Sequence, residues 1–229
     1  MPRRGWSLVE LLVTLAIVAL LLSLLFPALR AGRVSAQRTV CLANLRSLGQ
    51  AHGAYLVDHN GRMIGTSHGD SWIEALKHDY SPDLLLRSPV DTSPHFEGGA
   101  PVNGKHRQTS YAVNRFLAPD FLPGAKTIDQ VVRPSNTVHF VIKVFVGRND
   151  ADPAPTADHV HPDQWGASLF GSPVGIAATE IQTDAHGGPR ASPESVAPYA
   201  YADGHAQPNR FGDVYTGAAD NRFDYRLAR

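Results

Sequence analysis

The sequence has little cysteine and no excess of charge. Its only cysteine is Cys41, so the chain can form neither an internal disulfide nor a CxxC zinc site. Lys plus Arg and Asp plus Glu each number 21, which leaves a net charge of zero and no basic surface for nucleic acid. No GxSxG, phosphate-binding loop or dinucleotide fingerprint is present. We therefore expect no nucleic-acid partner, no cofactor and no enzymatic activity, and we interpret Cys41 as a small apolar residue on a helix face.

A long apolar run near the amino terminus is the main feature that the chain does have. Residues 11–29 carry no charge, and nineteen helical residues span roughly 28 Å, close to the ~30 Å hydrocarbon thickness of a bilayer. Arg3 and Arg4 precede the run and should stay in the cytoplasm by the positive-inside rule. The sequence predicts one membrane span, kinked or loosened at Pro27, with the rest of the chain outside the cytoplasm.

The residues around this run support secretory signal cleavage only weakly and do not fit lipoprotein processing. A secretory signal peptide ends in a small-x-small site, but Arg30 and Arg33 crowd the candidates in FPALRAGRVSAQR. Lipoprotein processing needs a cysteine directly after the run, and Cys41 lies twelve residues beyond Leu29. A simple signal anchor remains an alternative, although it explains neither Glu10 nor the position of Gly5.

The stretch RRGWSLVELLVTLAIVALLLSLLFPAL resembles the amino terminus of type IV prepilins and type II secretion pseudopilins. The resemblance implies that a prepilin peptidase cuts between Gly5 and Trp6 on the cytoplasmic side and that the new amino group of Trp6 is methylated. Glu10 would be the fifth residue after the cut, where the family has a glutamate that sets the register of packed helices. Trp6 departs from the family, which usually has Phe or Met there.

Glu10 also needs a physical reason, because a carboxylate inside a bilayer costs about 2.5–3.5 kcal/mol. A cut after Gly5 creates an α-amine one helical turn away, and a neighbouring subunit offers a second amine. The resemblance implies the pairing between subunits. The alternative is that Glu10 lies at the membrane interface and favours the amino terminus of the helix electrostatically.

A single helix is predicted over residues 7–58. After the apolar run, one face recurs at helical spacing, and Asn60 with Gly61 suits a left-handed cap. The members of this face are Val34, Cys41, Leu45, Leu48, His52 and Tyr55. We assign residues 1–5 to a leader, 6–60 to the helix and 61–229 to a pilin-like head outside the cytoplasm.

The head is predicted to be α+β, with an antiparallel sheet packed on the helix. Short helices are expected at 71–80, with Ser71 as its cap, and from Thr127. Strands are expected at 109–114, at 137–146 in a central position, at 174–181 and at 197–207, the last turning at Asp203-Gly204 with type I′ geometry. Residues 147–166 have the composition of a long exposed loop, and residues 215–229 that of a loosely held tail.

The head also resembles the pilin-like proteins of planctomycetes. The stretches CLANLRSLGQAHGAYLVDHNGRM, LLLRSPVD, TSYAVN, RPSNTV and YAYADGHAQ carry this likeness. That family is described by a histidine, nine residues and then Asp-Gly. Here His186 precedes Asp203, Gly204 and His205, but sixteen residues intervene, with PRASPES as the apparent insertion.

Two histidine clusters are candidate metal sites. His159 and His161 would point the same way from an extended segment, with Asp158 and Asp163 beside them. His186, Asp203 and His205 would converge if the last hairpin met the TDAHGG turn. Neither cluster has an HExxH frame or a calcium-loop pattern, and Asp203 is already explained by its turn, so we predict no bound metal.

These observations favour a structural subunit over an enzyme. We predict a pilin or pseudopilin, processed by prepilin peptidase, held in the inner (cytoplasmic) membrane with its head in the periplasm or outside the cell. Its partners would be further subunits of a type IV pilus or a type II secretion pseudopilus. The alternative is a membrane-anchored binding protein, outside the cytoplasm, that never polymerises.

Overall fold

The computed structural model describes residues 7–66, 72–79, 87–166 and 171–227, without the side chains of residues 77–79. The chain divides into two compact units, Met1–Thr39 and Val40–Arg229. Helix α1 (Leu8–Asp58) contributes to both, and its bounds confirm the predicted helix. In the smaller unit, residues 7–36 are all exposed, and the helix continues through Pro27 without a break.

The carboxyl end of α1 has the predicted left-handed cap. Asn60 has φ 52° and Gly61 has φ 75°, and the Gly61 amide donates to the Leu56 carbonyl at 2.7 Å. This bond satisfies one of the carbonyls that the last helical turn leaves without a partner. The chain therefore leaves the helix where the sequence predicts it.

The predicted helix face is confirmed in the larger unit. Cys41, Leu45, Leu48 and His52 are buried, and Tyr55 is half-buried. Their spacing places them on one side of α1, where they pack on the sheet. Val34, in the smaller unit, is exposed.

Two of the predicted short helices are present. Helix α2 (Trp72–Asp79) matches the helix expected at 71–80, whereas its predicted cap, Ser71, lies outside the described residues. A 3-10 turn, Ile128–Gln130, follows Thr127 as predicted.

Five strands of the described residues form one mixed sheet. The strands are β1 (Tyr111–Asn114), β2 (Val138–Ile142), β3 (His159–Val160), β4 (Val196–Tyr201) and β5 (Ala206–Arg210), in the order β3-β1-β2-β4-β5. Three pairings are antiparallel, and β1–β3 is parallel, so the sheet is mixed rather than wholly antiparallel. The α+β class is confirmed, as are the strands expected within 109–114, 137–146 and 197–207.

Strand β2 is buried on both faces, which confirms its central position. On one face, Phe140 and Ile142 pack with Leu45 and Leu48 of α1. On the other face, Val138 and Val141 join a second core that also contains Trp165, Tyr199, Phe211, Tyr215 and Phe223. The sheet is thus covered on both sides, as an apolar central strand requires.

The strand predicted at 174–181 is wrong, because this segment begins as a helix. Helix α3 (Pro173–Ala177) starts after Ser172, whose hydroxyl accepts a hydrogen bond from the Gly175 amide at 3.1 Å. A serine cap followed by proline at the first helical position favours a helix start. This local signal outweighs the apolar character of the residues that follow.

The prediction of an exposed loop at 147–166 is also wrong. The segment contains a 3-10 turn, Ala154–Thr156, and strand β3, and Val160 and Trp165 are buried. Its carbonyls accept hydrogen bonds from buried cations: Arg107 donates to Pro155 at 2.7 Å, and Lys143 donates to Ala157 at 2.7 Å. Distant partners therefore order a segment of loop-like composition.

Residues 215–227, the described part of the predicted tail, are not loosely held. Strands β6 (Tyr215–Gly217) and β7 (Asp220–Asn221) form a separate hairpin, and Tyr215 and Phe223 are buried against Trp165. A few buried aromatic side chains hold this mostly polar segment in place. Its overall composition therefore does not indicate that it is packed.

The β4–β5 hairpin turns at the predicted place with a different geometry. A type I′ turn needs positive φ at both central residues. Gly204 has φ 89°, but Asp203 is not among the described residues that have positive φ. The Gly204 amide donates to the Tyr201 carbonyl at 2.9 Å, and the Tyr201 amide donates to His205 at 2.9 Å. These bonds fit a three-residue loop that ends in a left-handed glycine.

This hairpin turn packs closely on α1 at Gly49. A Cβ added at Gly49 would lie 2.6 Å from the carbonyl oxygen of Gly204 and 2.7 Å from its Cα. Both contacts are with backbone, so a side chain at position 49 would push the turn away from the helix.

We expect Gly49→Ala to destabilise the larger unit by about 1–3 kcal/mol, the usual range for an overpacked contact. Gly53→Ala is the matched control, because no described atom lies within 4 Å of the added Cβ. There we expect a gain of about 0.5–1 kcal/mol from helix propensity. Urea unfolding of the detergent-solubilised protein measures both, and similar effects at the two positions would contradict the close contact.

Candidate processing and assembly segment

The first turn of α1 is closed by a reciprocal pair of side chains, Ser7 and Glu10. The Glu10 amide donates to Ser7 Oγ at 3.2 Å, while the Ser7 amide and hydroxyl donate to Glu10 Oε2 at 2.8 Å and 2.9 Å. This is a capping box, in which each side chain satisfies a backbone donor of the helix start. The pattern Ser-x-x-Glu at 7–10 is its signal in the sequence, and the prediction for Glu10 did not include this capping role.

Only one oxygen of the Glu10 carboxylate takes part in this cap. The two hydrogen bonds that the carboxylate accepts both go to Oε2, and within the described residues Oε1 accepts none. The predicted cleavage residues, Gly5 and Trp6, lie outside the described residues. By chain order, the amine that a cut after Gly5 would create belongs to the residue directly before Ser7.

The helix that carries Glu10 has an exposed apolar surface. An 18-residue window of α1 has a mean hydropathy of 2.8, with none of that window buried. By length and composition the helix can cross a membrane. Its exposed large side chains include Leu8, Leu15, Leu20, Leu24 and Phe26. A surface of this kind needs lipid or other helices to cover it.

The structure brings His159 and His161 together. Their ring centroids are 4.6 Å apart, and each Nδ1 bonds to a carboxylate: Asp158 at 2.7 Å and Glu180 at 2.8 Å. Asp163 forms an ion pair with Arg115 instead of joining this cluster. No group of three or more His, Cys, Asp or Glu side chains among residues 7–66, 72–79, 87–166 and 171–227 could hold a metal ion.

Glu180 is a member of this network that the sequence analysis missed. Burial raises the pKa of Glu180, but hydrogen bonds from the side chain and amide of His161 and from Trp165 outweigh that effect, and the net pKa is below its ordinary value. Its carboxylate accepts from His161 and from the Trp165 indole at 2.9 Å. The network therefore fixes the packing of the segment around β3.

The residues of the predicted His…Asp-Gly motif are not brought together. The His186 amide donates to Val196, at the start of β4, at 2.8 Å, whereas Asp203 and His205 follow the end of β4, about 17 Å further along an extended strand. Asp203 Oδ1 bonds to His205 Nδ1 at 2.6 Å, and the His205 ring stacks on Tyr201. Asp203 and Gly204 thus shape the hairpin turn.

The larger unit also has a groove of about 1130 Å³, which His159 and His161 help to line. Among its described lining residues, permanent cations and carboxylates occur in equal number: Arg87, Lys105 and Arg107 against Glu74, Glu97 and Asp158. Because these charges balance, the lining indicates neither an anionic nor a cationic ligand.

Comparison with protein-family models finds the prokaryotic N-terminal methylation motif at residues 1–26. The amino terminus is of the prepilin type. The matched range contains Gly5, Trp6 and Glu10, and it indicates a pilin or pseudopilin precursor that a peptidase processes. Proteins with this motif are structural rather than enzymatic, and the motif together with the apolar helix fits a membrane-anchored protein.

No curated protein and no solved structure matches the chain. The match to the prepilin-type motif covers the leader and the first part of α1 and does not extend into the head. The resemblance of the head to planctomycete pilin-like proteins therefore stays a prediction.

Proposed function

We propose that this protein is a pilin-like structural subunit that polymerises through its amino-terminal helix. Prepilin peptidase removes residues 1–5, and the new amine of Trp6 is methylated. Residues 11–29 hold the subunit in the inner membrane, with the head on the outer side, until it enters a type IV pilus or a type II secretion pseudopilus. The methylation motif at residues 1–26 carries this proposal.

The exposed apolar helix supports the polymerisation step. Residues 7–36 are exposed throughout, and nearly all of residues 8–29 are apolar. Lipid covers this surface in the membrane, and the helices of other subunits cover it in a filament, where close packing replaces lipid contacts. The same segment thus serves as anchor and as assembly surface.

The geometry of Glu10 supports a double role for its carboxylate. Oε2 caps α1 through Ser7, and Oε1 remains for an ammonium group. The ammonium of Trp6, in the same or an adjoining subunit, neutralises a charge that would otherwise be costly beside lipid. Capping and charge pairing therefore use different oxygens of one side chain.

The processing step is tested by the mass and amino-terminal sequence of the protein from cells that make prepilin peptidase. The wild-type chain is expected to begin at Trp6 and to carry one methyl group on its amine. Gly5→Val is expected to keep the leader, because a branched side chain replaces the glycine at the cut.

Gly32→Val is the matched control, since no described atom lies within 4 Å of a Cβ at Gly32. We expect this variant to be processed like the wild type. A wild-type chain that retains residues 1–5 in the presence of active peptidase, or that begins beyond Arg30, would overturn the proposed processing.

A further inference from the structure

Two buried histidines meet between α1 and the sheet. His52 of α1 and His139 of β2 are each 1% exposed, and their ring centroids are 4.2 Å apart at an interplanar angle of 62°. Both residues belong to the larger unit. The contact is therefore internal to the larger unit and lies outside the segment that carries the proposed function.

A β-bulge in β2 creates this contact. Val138 pairs with Tyr201 and Phe140 pairs with Ala200, so β2 advances two residues while β4 advances one. Successive residues of a regular strand point to opposite faces, but a bulge redirects one of them. As a result, the rings of the adjacent residues His139 and Phe140 both face the His52 ring, with centroid-to-centroid distances of 4.2 Å and 6.2 Å.

The imidazoles make fewer hydrogen bonds than their burial calls for. Within the described residues, His52 Nε2 and both ring nitrogens of His139 are buried without a hydrogen-bond partner. A buried polar atom without a partner costs about 1–3 kcal/mol, and such atoms are rare in folded proteins. Apolar side chains could fill the same space without that cost, so two histidines here call for a reason other than packing.

Within the described part of the chain, no carboxylate acts on either ring as a counter-charge for a proton. Among the described ring contacts, Tyr55 of α1 is the one other ionisable group, 6.3 Å from His52, and Phe140 of β2 and Trp72 of α2 complete the aromatic cluster. The charge that acts on His139 is that of His52 itself. A proton on either ring is therefore unpaired, and protons on both rings repel each other.

We propose that the His52–His139 pair makes the docking of α1 on the sheet sensitive to acid. While both rings are neutral they pack together, and residues 40–58 of α1 stay on the sheet. Protonation is incompatible with this buried contact, so acid favours a state in which the helix face has separated from β2 and the rings meet water.

The sign of the pH dependence follows from the folded and unfolded pKa values. Burial lowers the pKa of His52 to about 3, and burial with the nearby His52 lowers the pKa of His139 well below its ordinary value. In the unfolded chain both rings have a pKa of about 6.5. Below that pH the unfolded state binds more protons than the folded state, so the free energy of unfolding decreases as the pH is lowered. The contribution of His52 to this decrease ends at about pH 3, where the folded state also binds the proton.

The test is denaturant unfolding of the full-length protein in detergent at a series of pH values from 7.5 to 4. Tryptophan fluorescence monitors the transition. Each proton taken up on unfolding lowers the folded-to-unfolded ratio about tenfold per pH unit, so the pair contributes up to about a hundredfold per unit below pH 6. His52→Phe/His139→Phe is expected to lose this contribution. His106→Phe, at an exposed position, is expected to keep the wild-type slope.

Equal slopes for the wild type and the double variant would overturn the proposal. A second measurement uses the wild type alone and does not depend on the folding of a variant. Nitrogen NMR of the imidazoles is expected to show both rings neutral in the folded protein at pH 5. Protonation of both rings near pH 6.5 without loss of folded signals would likewise overturn it.

Discussion

Glu10→Gln and Glu10→Ala are both expected to reduce incorporation into filaments by about a hundredfold or more, with the protein still inserted in the membrane. Removing one partner of a desolvated ion pair costs about 3–5 kcal/mol, and each 1.4 kcal/mol is about tenfold in an equilibrium constant. Immunoblots of sheared filaments and of membranes measure the ratio of assembled to unassembled subunit.

The two roles of Glu10 are separated by matched variants. Glutamine at the third helical position can still close a capping box, so Glu10→Gln removes the charge and keeps the cap. Ser7→Ala removes the serine cap, at a cost of about 1 kcal/mol of helix stability, and keeps the carboxylate. We expect Ser7→Ala to assemble much like the wild type.

The opposite pattern would contradict the charge-pairing role. If Glu10→Gln assembled normally and Ser7→Ala did not, capping alone would account for Glu10. If Glu10→Ala left every surface function intact and the wild type formed no filament, the chain would be a membrane-anchored binding protein instead of a subunit.

Asp91→Ala is expected to destabilise the larger unit by about 3–5 kcal/mol, as measured by urea unfolding. Asp91 accepts two hydrogen bonds from Arg107, at 2.9 Å and 2.7 Å, and both side chains are fully buried. Burial lowers the pKa of Arg107, and Asp91 opposes that shift. Without the carboxylate, the guanidinium would keep only its carbonyl partners in a buried site.

Glu194→Ala is the matched control for this ion pair. Glu194 pairs with Arg210 at 3.1 Å, but each side chain is 62% exposed. A solvent-exposed pair contributes about 0–1 kcal/mol, so the control should barely change the midpoint. If Asp91→Ala and Glu194→Ala lowered the free energy of unfolding by similar amounts, burial would not explain the contribution of the Asp91–Arg107 pair to stability.

The elements that the sequence predicts correctly have local causes. Helix α1 follows from an apolar run that changes to a one-sided pattern, and its end follows from the conformational preferences of Asn60 and Gly61. Strand β2 follows from the apolar character that its segment has on both faces. The turn type at Asp203-Gly204 was wrong because it depends on the register of β4 against β5, which the dipeptide does not reveal.

The segments that sequence reasoning misjudged depend on distant partners. Residues 147–166 look like a loop, yet their carbonyls bind Arg107 and Lys143. Burial lowers the pKa of Lys143 well below its ordinary value, and nearby Arg107 lowers it further. Neither a polar composition nor a spacing pattern indicates which carbonyls a remote cation will meet.

The amino-terminal segment was the most predictable part of the functional proposal. The capping box between Ser7 and Glu10 was not predicted. Gly5, Trp6 and Glu10 all lie within residues 1–26, the range that matches the methylation motif, and a local match of this kind can be found from a single sequence. The capping box has an equally local signal, the serine three residues before Glu10. Glu10 therefore lies both in the range that matches the motif and in the cap of α1.

Cys41 makes the larger unit suitable for single-site chemical labelling. The side chain is fully buried on α1, and burial raises the pKa of its thiol to about 11 despite a contact with Ser88 Oγ at 3.3 Å. The chain has no other thiol that could compete for a reagent. The reaction rate of a disulfide probe with the native protein therefore reports how often the helix–sheet core opens, without an engineered label.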